Sequence, residues 1–99
     1  MTIGDELAKT LTEKTRRDIL SLLEQTAGRM AQTSVLQMQL RQVKYVTLST
    51  AEIIGHLTYL RDLGLLHLLA DGIAVKLTTD GSQCARGFGD YPGVGRAEV

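Results

Sequence analysis

Cysteine is almost absent from this sequence: Cys84 is the only one among 99 residues. A single cysteine cannot form an internal disulfide, and it cannot supply a zinc cage of the usual Cys/His type. We expect Cys84 to be a small residue on a partly buried helix. The sequence predicts no metal and no other cofactor.

Long apolar runs and export signals are also missing. No segment approaches the run of about 18 apolar residues that a bilayer span needs. The N-terminus, MTIGDELAKT, has neither a basic start nor an apolar stretch, so nothing in it marks the chain for export. With 43% hydrophobic and 22% charged residues, the composition is typical of a single soluble domain. We expect a cytoplasmic protein that does not bind membranes.

Neither sign of charge is in excess, because eleven basic residues balance eleven acidic ones. A net charge of zero argues against strong, sequence-blind binding to nucleic acid. The distribution is less even. From Arg29 to Arg61 the chain carries four basic residues against one acidic residue, Glu52, so the domain can present a modest positive face.

Helical spacing of apolar residues predicts a first helix from Thr12, as N-cap, to Gln25, with a turn at Gly28. Residues 3–11 keep the same spacing and form either an extra N-terminal helix or an extension of the first. Arg17 and its neighbour Arg16 are expected on a solvated helix face, with Arg17 able to pair with nearby acids.

A second helix is predicted to start at Thr33 or Ser34, with three apolar residues recurring at i, i+4 and i+7: Leu36, Leu40 and Val43. The next segment, YVTL at 45–48, is β-branched and aromatic. It predicts a very short strand.

A capping box, Ser49-Thr50-Ala51-Glu52, predicts the start of a third helix over 49–63. Its buried stripe should consist of Ile53, Leu57 and Leu60. Gly64 is well placed to end the helix in the left-handed conformation.

A hairpin is predicted over 65–78, with Asp71-Gly72 as a two-residue type I′ turn. This turn pairs Leu66 with Leu77 and His67 with Lys76. It also fixes which side chains face inward, namely Leu66, Leu68, Ala70, Ile73, Val75 and Leu77. Four residues should face outward: Leu65, His67, Leu69 and Lys76.

After the hairpin, Thr78 or Thr79 can cap a short helix through Arg86, which completes a domain at 1–87. The remaining tail, 88–99, is Gly-rich and predicted to be irregular. Its apolar residues Phe88, Tyr91 and Val94 leave two alternatives open: docking on the domain or on a second chain, or disorder.

The order helix, helix, short strand, helix, hairpin is that of a winged helix-turn-helix. The predicted fold is therefore α+β, mainly α, with a three-helix core and a small antiparallel β-wing. The chain resembles small winged-helix proteins of the bacterial repressor type, most closely an uncharacterised family of Mu-like prophage proteins. The matching segments are DILSLLEQ, STAEIIGHLTYLRDLGLL, VKLTTDG and PGVGR, and they cover nearly the whole chain. The resemblance implies a phage or prophage origin and a bacterial host cell.

Double-stranded DNA is the partner that this reading predicts, with helix 49–63 in the major groove and the hairpin as the wing. The base-facing candidates are Thr50, Gly55, His56 and Tyr59. The phosphate-contacting candidates are Arg41, Lys44, Tyr45, Arg61 and Lys76. The third helix has no Arg or Lys before Arg61, and the chain has no Asn, so the commonest bidentate base contacts are missing.

Two functions remain open at this point. The first is a homodimeric phage transcriptional regulator that binds DNA. The second is a non-catalytic winged-helix module for protein interaction or dimerisation, which the neutral charge, Glu52 and the outward Leu65 and Leu69 favour. We do not expect an enzyme or a small-molecule substrate, because no nucleophile with a base, close carboxylate pair or phosphate loop is present.

Overall fold

A computed structural model describes residues 3–96, which form four α-helices and one three-stranded antiparallel sheet. The helices are α1 (Ile3–Gln25), α2 (Thr33–Val43), α3 (Thr50–Asp62) and α4 (Thr79–Ala85), and the strands are β1 (Met30–Gln32), β2 (Leu66–Leu69) and β3 (Ala74–Leu77). The strand order β1-β3-β2 places the second hairpin strand in the centre. The predicted mainly helical α+β class is confirmed. Within residues 3–96, no helix combines the length and apolar character that crossing a membrane requires.

The first helix, α1, runs without interruption from Ile3 to Gln25, so residues 3–11 extend it and the predicted N-cap at Thr12 is wrong. The two halves differ in environment. Every residue of 3–11 is exposed, whereas the second half packs into the core. The chain then turns at Gly28, as predicted, in the left-handed conformation with φ 72°.

The hydrophobic core lies between the helices and the inner face of the sheet. Its side chains with no exposed surface come from three helices, the central strand and the residue just before β2: Ile19, Leu20, Leu23, Leu36, Leu40, Ile53, Leu57, Leu60, Val75 and Leu65. Burying one such side chain contributes roughly 1.5 to 3 kcal/mol, so this cluster supplies most of the driving force for folding.

The short strand precedes α2 and does not follow it. Residues 45–49 form no regular secondary structure, and Tyr45 has φ 59°, which an extended strand does not allow. The backbone there is used otherwise: the amide of Val46 donates to the carbonyl of Leu40 (3.0 Å) and ends α2. The strand predicted over 45–48 is therefore wrong. β1 takes the sheet position instead, with Ala31 opposite Val75 on β3.

The start of α2 also differs from its prediction. Gln32 occupies the N-cap position without a side-chain cap, so neither Thr33 nor Ser34 has that role. The Thr33 hydroxyl donates to the carbonyl of Gly72 (2.5 Å), and its amide donates to the carbonyl of Ile73 (2.8 Å). These bonds hold the hairpin turn against the start of α2.

The capping box of α3 is confirmed, because Ser49 Oγ accepts from the Glu52 amide (3.1 Å) and Glu52 Oε1 accepts from the Ser49 amide (3.0 Å). At the other end Gly64 has φ 80°, as predicted. The amide of Leu65 donates to the carbonyl of Leu60 (3.1 Å), which makes this end a Schellman motif. Such a motif turns Leu65 inward against the helix, so the prediction that it faces outward is wrong.

The hairpin register is confirmed at all four pairs from Leu66–Leu77 to Leu69–Ala74. Asp71 and Gly72 have φ 57° and 91°, as a type I′ turn requires. Four of the predicted inner residues do face the core: Leu66, Leu68, Val75 and Leu77. The other two, Ala70 and Ile73, are exposed, because both lie outside the strands: Ala70 has φ 50°, and the strand pairing ends at Leu69–Ala74, so the predicted pair Ala70–Ile73 is wrong.

Thr78 caps α4, as its hydroxyl oxygen accepts from the Gly81 amide (2.9 Å). The tail that follows packs on its own domain as far as residue 96. Val94 is buried in the core, and the amide of Gly95 donates to the carbonyl of Glu13 on α1 (2.9 Å). Docking on the domain is therefore the correct alternative for 88–96, and the rest of the predicted tail lies outside the described residues.

Candidate nucleic-acid interface

The free surface of α3 lies mainly on its first two turns. Thr50, Ala51, Glu52 and Gly55 are exposed there, while the predicted inner stripe is fully buried. Glu52 is the only charged side chain among these four. Hydrogen bonds from the backbone and side chain of Ser49 lower the pKa of its carboxyl, so Glu52 is ionised near neutral pH. The face offered to a ligand is small, polar and locally acidic.

His56 and Tyr59, two of the predicted base-facing residues, contact other parts of the same chain. The guanidinium of Arg16 lies 3.7 Å from the centroid of the Tyr59 ring, and its Nε donates to His56 Nδ1 (3.2 Å). The Tyr59 hydroxyl donates to the carbonyl of Pro92 (2.6 Å). Neither side chain therefore projects freely from the helix.

The same guanidinium reaches the tail through Nη1, which donates to the carbonyl of Gly93 (3.0 Å). We call Arg16, His56, Tyr59, Pro92 and Gly93 the tail clasp. Gly93 has φ 76°, and a Cβ there would overlap the hydroxyl of Tyr59, so the contact requires glycine. The solvated position expected for Arg16 is wrong.

Arg17 is also not on a solvated face. Its side chain is buried, and the guanidinium donates to the backbone carbonyls of Cys84 and Ala85, the latter at 2.5 Å. These carbonyls lie at the end of α4, where the Cys84 carbonyl also accepts from the Gly87 amide (3.0 Å), so the buried cation adds to the capping of its C-terminus. Arg17 thus joins α4 to α1.

Burial is the main cause of a lowered pKa at His56, and the positive charge of Arg16 adds to it, while Glu52 acts in the opposite direction. The imidazole is therefore neutral at pH 7. Because Nδ1 accepts the hydrogen bond from Arg16, the ring proton is on Nε2. His56 can act as a neutral hydrogen-bond donor and adds no charge for DNA.

Among the phosphate-contacting candidates, Arg41 and Tyr45 are exposed just before α3. Arg41 lines an open groove with Thr47 and Leu48, and Tyr45 is 89% exposed. Lys44 is less available, since its Nζ lies 4.0 Å from Asp18 Oδ1 and its side chain is only 32% exposed. The segment before α3 therefore offers one fully available cation, Arg41, and one exposed phenol, Tyr45.

The other two candidates lie on different parts of the surface. Arg61, at the far end of α3, pairs with the adjacent Asp62 (3.2 Å), an exposed contact of little energetic weight. Lys76 is exposed on the outer face of the sheet, opposite Met30 on β1 and His67 on β2. Arg41 and Tyr45 precede α3 in the chain, whereas Arg61 is in the last turn of α3 and Lys76 is on β3.

In the part of the chain from 3 to 96, no three His, Cys, Asp or Glu side chains could hold a metal ion together. Cys84 is buried, as expected, and burial raises the pKa of its thiol. Comparisons with family models, with curated proteins and with solved structures gave no match to this chain.

Proposed function

We propose that the chain is a winged helix-turn-helix protein that binds double-stranded DNA, and that it serves as a transcriptional regulator of a phage or prophage. The order of elements supports this proposal. Two helices, α2 and α3, are joined by the loop 44–49, and the hairpin β2-β3 follows directly. β1 directly precedes α2 and pairs with β3, so it attaches the hairpin to the helices. The hairpin is therefore held in place beside α3.

The exposure of the first two turns of α3 is the observation that carries the proposal, together with the exposed Arg41 and Tyr45 on the part of the chain that precedes them. A recognition helix reads bases with its N-terminal residues while neighbouring side chains contact phosphates. Thr50 can hydrogen-bond a base edge, and the Ala51 methyl can contact a thymine methyl. Gly55 lets the duplex backbone approach closely. His56 and Tyr59 then have a positioning role, because Arg16 and the tail hold them.

The proposal predicts modest affinity with a shallow salt dependence. Each phosphate contact should contribute a slope of roughly −0.9 in a plot of log affinity against log salt. Titration of a labelled duplex from the parent phage at several salt concentrations measures this slope. In the variant Arg41→Ala the slope should become shallower by roughly 0.9, the contribution of one phosphate contact.

The exposed lysine Lys9, on the first half of α1, provides a matched control, since Lys9→Ala should leave the slope unchanged. Binding that is no stronger than background at about 50 mM salt, where phosphate contacts are strongest, would contradict the proposal.

A second candidate is a protein-interaction module of the same fold without DNA reading. Its specific support is the free face of α3, where Glu52 is the only charged side chain, while Arg61 at the far end of the helix already pairs with Asp62. The exposed hairpin residues Leu69 and Ile73 add apolar surface. The salt titration separates the two candidates, because this one predicts no salt-dependent duplex binding by the wild type or by Arg41→Ala.

A further inference from the structure

A cavity of about 570 Å³ opens along the middle of α1. Most of the α1 residues that line it recur three or four positions apart and therefore share one side of the helix: Thr10, Lys14, Arg17, Asp18 and Ser21. Arg16, which binds His56 and Tyr59 on α3, lies roughly 160° around the helix axis from Lys14. The cavity is therefore on the side of α1 opposite to α3.

Basic side chains dominate the lining of this cavity. Against the acidic side chains of Glu13 and Asp18, five basic residues line it, an excess of three positive charges: Lys14, Arg17, Lys44, Arg86 and Arg96. They come from α1, from the ends of α2 and α4, and from the tail. Because the whole chain is neutral, this is a local concentration of positive charge.

The acid nearest to the two lysines is shared between them. Lys14 Nζ lies 2.8 Å from Asp18 Oδ2, and Lys44 Nζ lies 4.0 Å from Oδ1 of the same carboxylate. A separation of 4.0 Å is too long for a hydrogen bond, so the Lys44 ammonium group can donate to a ligand. Asp18 thus holds both lysines at the cavity without neutralising both.

The acids outside the cavity do not remove the excess either. Glu24 is shared in the same way, by Arg86 at 3.8 Å and Arg29 at 3.2 Å. Asp90 lies 3.4 Å from Arg96, in an exposed pair of little energetic weight. With these partners included, six cations still face four carboxylates.

Arg17 is the strongest indication of an anionic ligand. The residue is only 9% exposed, and none of the ion pairs within residues 3–96 includes it. Its Nη groups donate to the backbone carbonyls of Cys84 and Ala85, whereas its Nε donates to no described residue. A buried cation is costly unless a negative charge compensates it, and neutral carbonyls do not supply that charge.

We propose that this cavity binds a small organic anion that carries two or more phosphate groups. We call its five basic residues, Lys14, Arg17, Lys44, Arg86 and Arg96, the anion site. Lysine and arginine form strong, charge-assisted hydrogen bonds with phosphate oxygens, and cations on several sides suit more than one phosphate group. The volume is within the range of roughly 300 to 1,000 Å³ that is typical of small-molecule sites. The Ser21 hydroxyl, on the same side of α1, can donate to the same oxygens.

The phosphates of duplex DNA have the same chemistry, but the position of the anion site does not favour them. Phosphate contacts position a recognition helix and therefore flank it, whereas this cavity is concave and lies across α1 from α3. A small ligand can enter such a cavity more easily than a duplex can. The anion site does not depend on DNA binding, so either proposal can fail without the other.

Isothermal titration calorimetry with pyrophosphate and with inorganic triphosphate tests the anion site without DNA. The wild type should bind one ion per chain with a Kd below about 1 mM at low salt. Lys44→Ala should weaken binding about tenfold, because it removes a charge-assisted hydrogen bond. Asp18→Asn should strengthen binding about threefold or more, because it releases both lysines and removes a repulsive charge. Lys9→Ala is the matched control: Lys9 is exposed on the same helix but does not line the cavity, so the Kd should not change.

Lys14→Ala separates the two sources of phosphate. It should weaken pyrophosphate binding about tenfold and leave duplex affinity unchanged. Loss of duplex affinity in this variant, with no pyrophosphate binding by the wild type, would assign these cations to DNA and overturn the proposal. The proposal would also fail if neither probe bound saturably up to about 10 mM, or if Lys9→Ala weakened binding as much as Lys44→Ala. Thermal unfolding of each variant without ligand checks that it remains folded.

Discussion

Substitution of Gly81 by alanine tests the closest approach between α4 and the rest of the domain. Gly81 lies in the first turn of α4, where its amide donates to the Thr78 hydroxyl (2.9 Å). A Cβ at this position would overlap the backbone carbonyl of Leu65 and lie 2.9 Å from Leu77 Cδ1. The backbone at Gly81 is helical, so the conflict is one of space and not of conformation.

Two effects of opposite sign compete in Gly81→Ala. Alanine in a helix is favoured over glycine by roughly 0.5 to 1 kcal/mol. Against this, overpacking a filled site costs about 1 to 3 kcal/mol or more. The carbonyl of Leu65 cannot easily move, because it accepts from the Thr78 amide (3.1 Å) and the Leu65 amide donates to Leu60 (3.1 Å). Disturbing each of these bonds adds about 0.5 to 1.5 kcal/mol, so the net loss should be about 2 to 4 kcal/mol.

Urea unfolding and thermal unfolding measure this loss. For a domain of this size, 1 kcal/mol corresponds to a midpoint shift of about 4 to 8 °C, so a loss of about 2 to 4 kcal/mol should lower the midpoint by about 8 to 32 °C. Gly55→Ala on α3 is the control: no atom lies within 4 Å of its Cβ, and the free energy of unfolding should rise by about 0.5 to 1 kcal/mol. A Gly81→Ala protein as stable as the wild type would refute the packing of α4 on Leu65.

Four further predictions concern the tail, the half-buried His56 and the buried Cys84. Tyr59→Phe keeps the ring under Arg16 but loses the hydroxyl bond to the tail, so stability should fall by about 0.5 to 1.5 kcal/mol and limited proteolysis should cut the tail faster. Gly93→Ala should release the tail more completely, because it adds backbone strain to a clash. Burial and Arg16 lower the pKa of His56, so its contribution to stability is present above about pH 6.5 and is lost as pH falls below it. Urea midpoints measured across this range should therefore decline, and His56→Gln should flatten that decline. Burial raises the pKa of the Cys84 thiol, so iodoacetamide should modify it only under unfolding conditions; rapid reaction in the native protein would disprove the burial.

The sequence by itself determined the elements whose signals are local. Ser49 and Glu52 are three residues apart and cap each other, and Gly64 is required by the conformation that ends the same helix. The hairpin register follows from two turn residues, since a type I′ turn fixes every pair beyond it. The inward position of Leu65 could also be predicted from the sequence. Gly64 indicates a Schellman motif, and this motif packs the residue after the glycine against the last turn of the helix.

Only the tertiary structure decided where strand β1 lies. Met30–Gln32 has no alternating pattern and becomes a strand because the edge of β3 is available to pair with it. The more strand-like segment 45–48 has no such edge beside it. A propensity of a few tenths of a kcal/mol does not outweigh an available set of backbone hydrogen bonds.

The candidate interface divides in the same way. The sequence identified α3, its buried stripe and the exposed residues Thr50 and Gly55, which depend on position along one helix. It did not show that the Arg16 side chain binds His56 and Tyr59. Arg16 and His56 are 40 residues apart, and the tail residue that Arg16 also binds, Gly93, lies still further along the chain. No local pattern encodes such a contact. It exists only where the packed core brings α1, α3 and the tail within hydrogen-bonding distance.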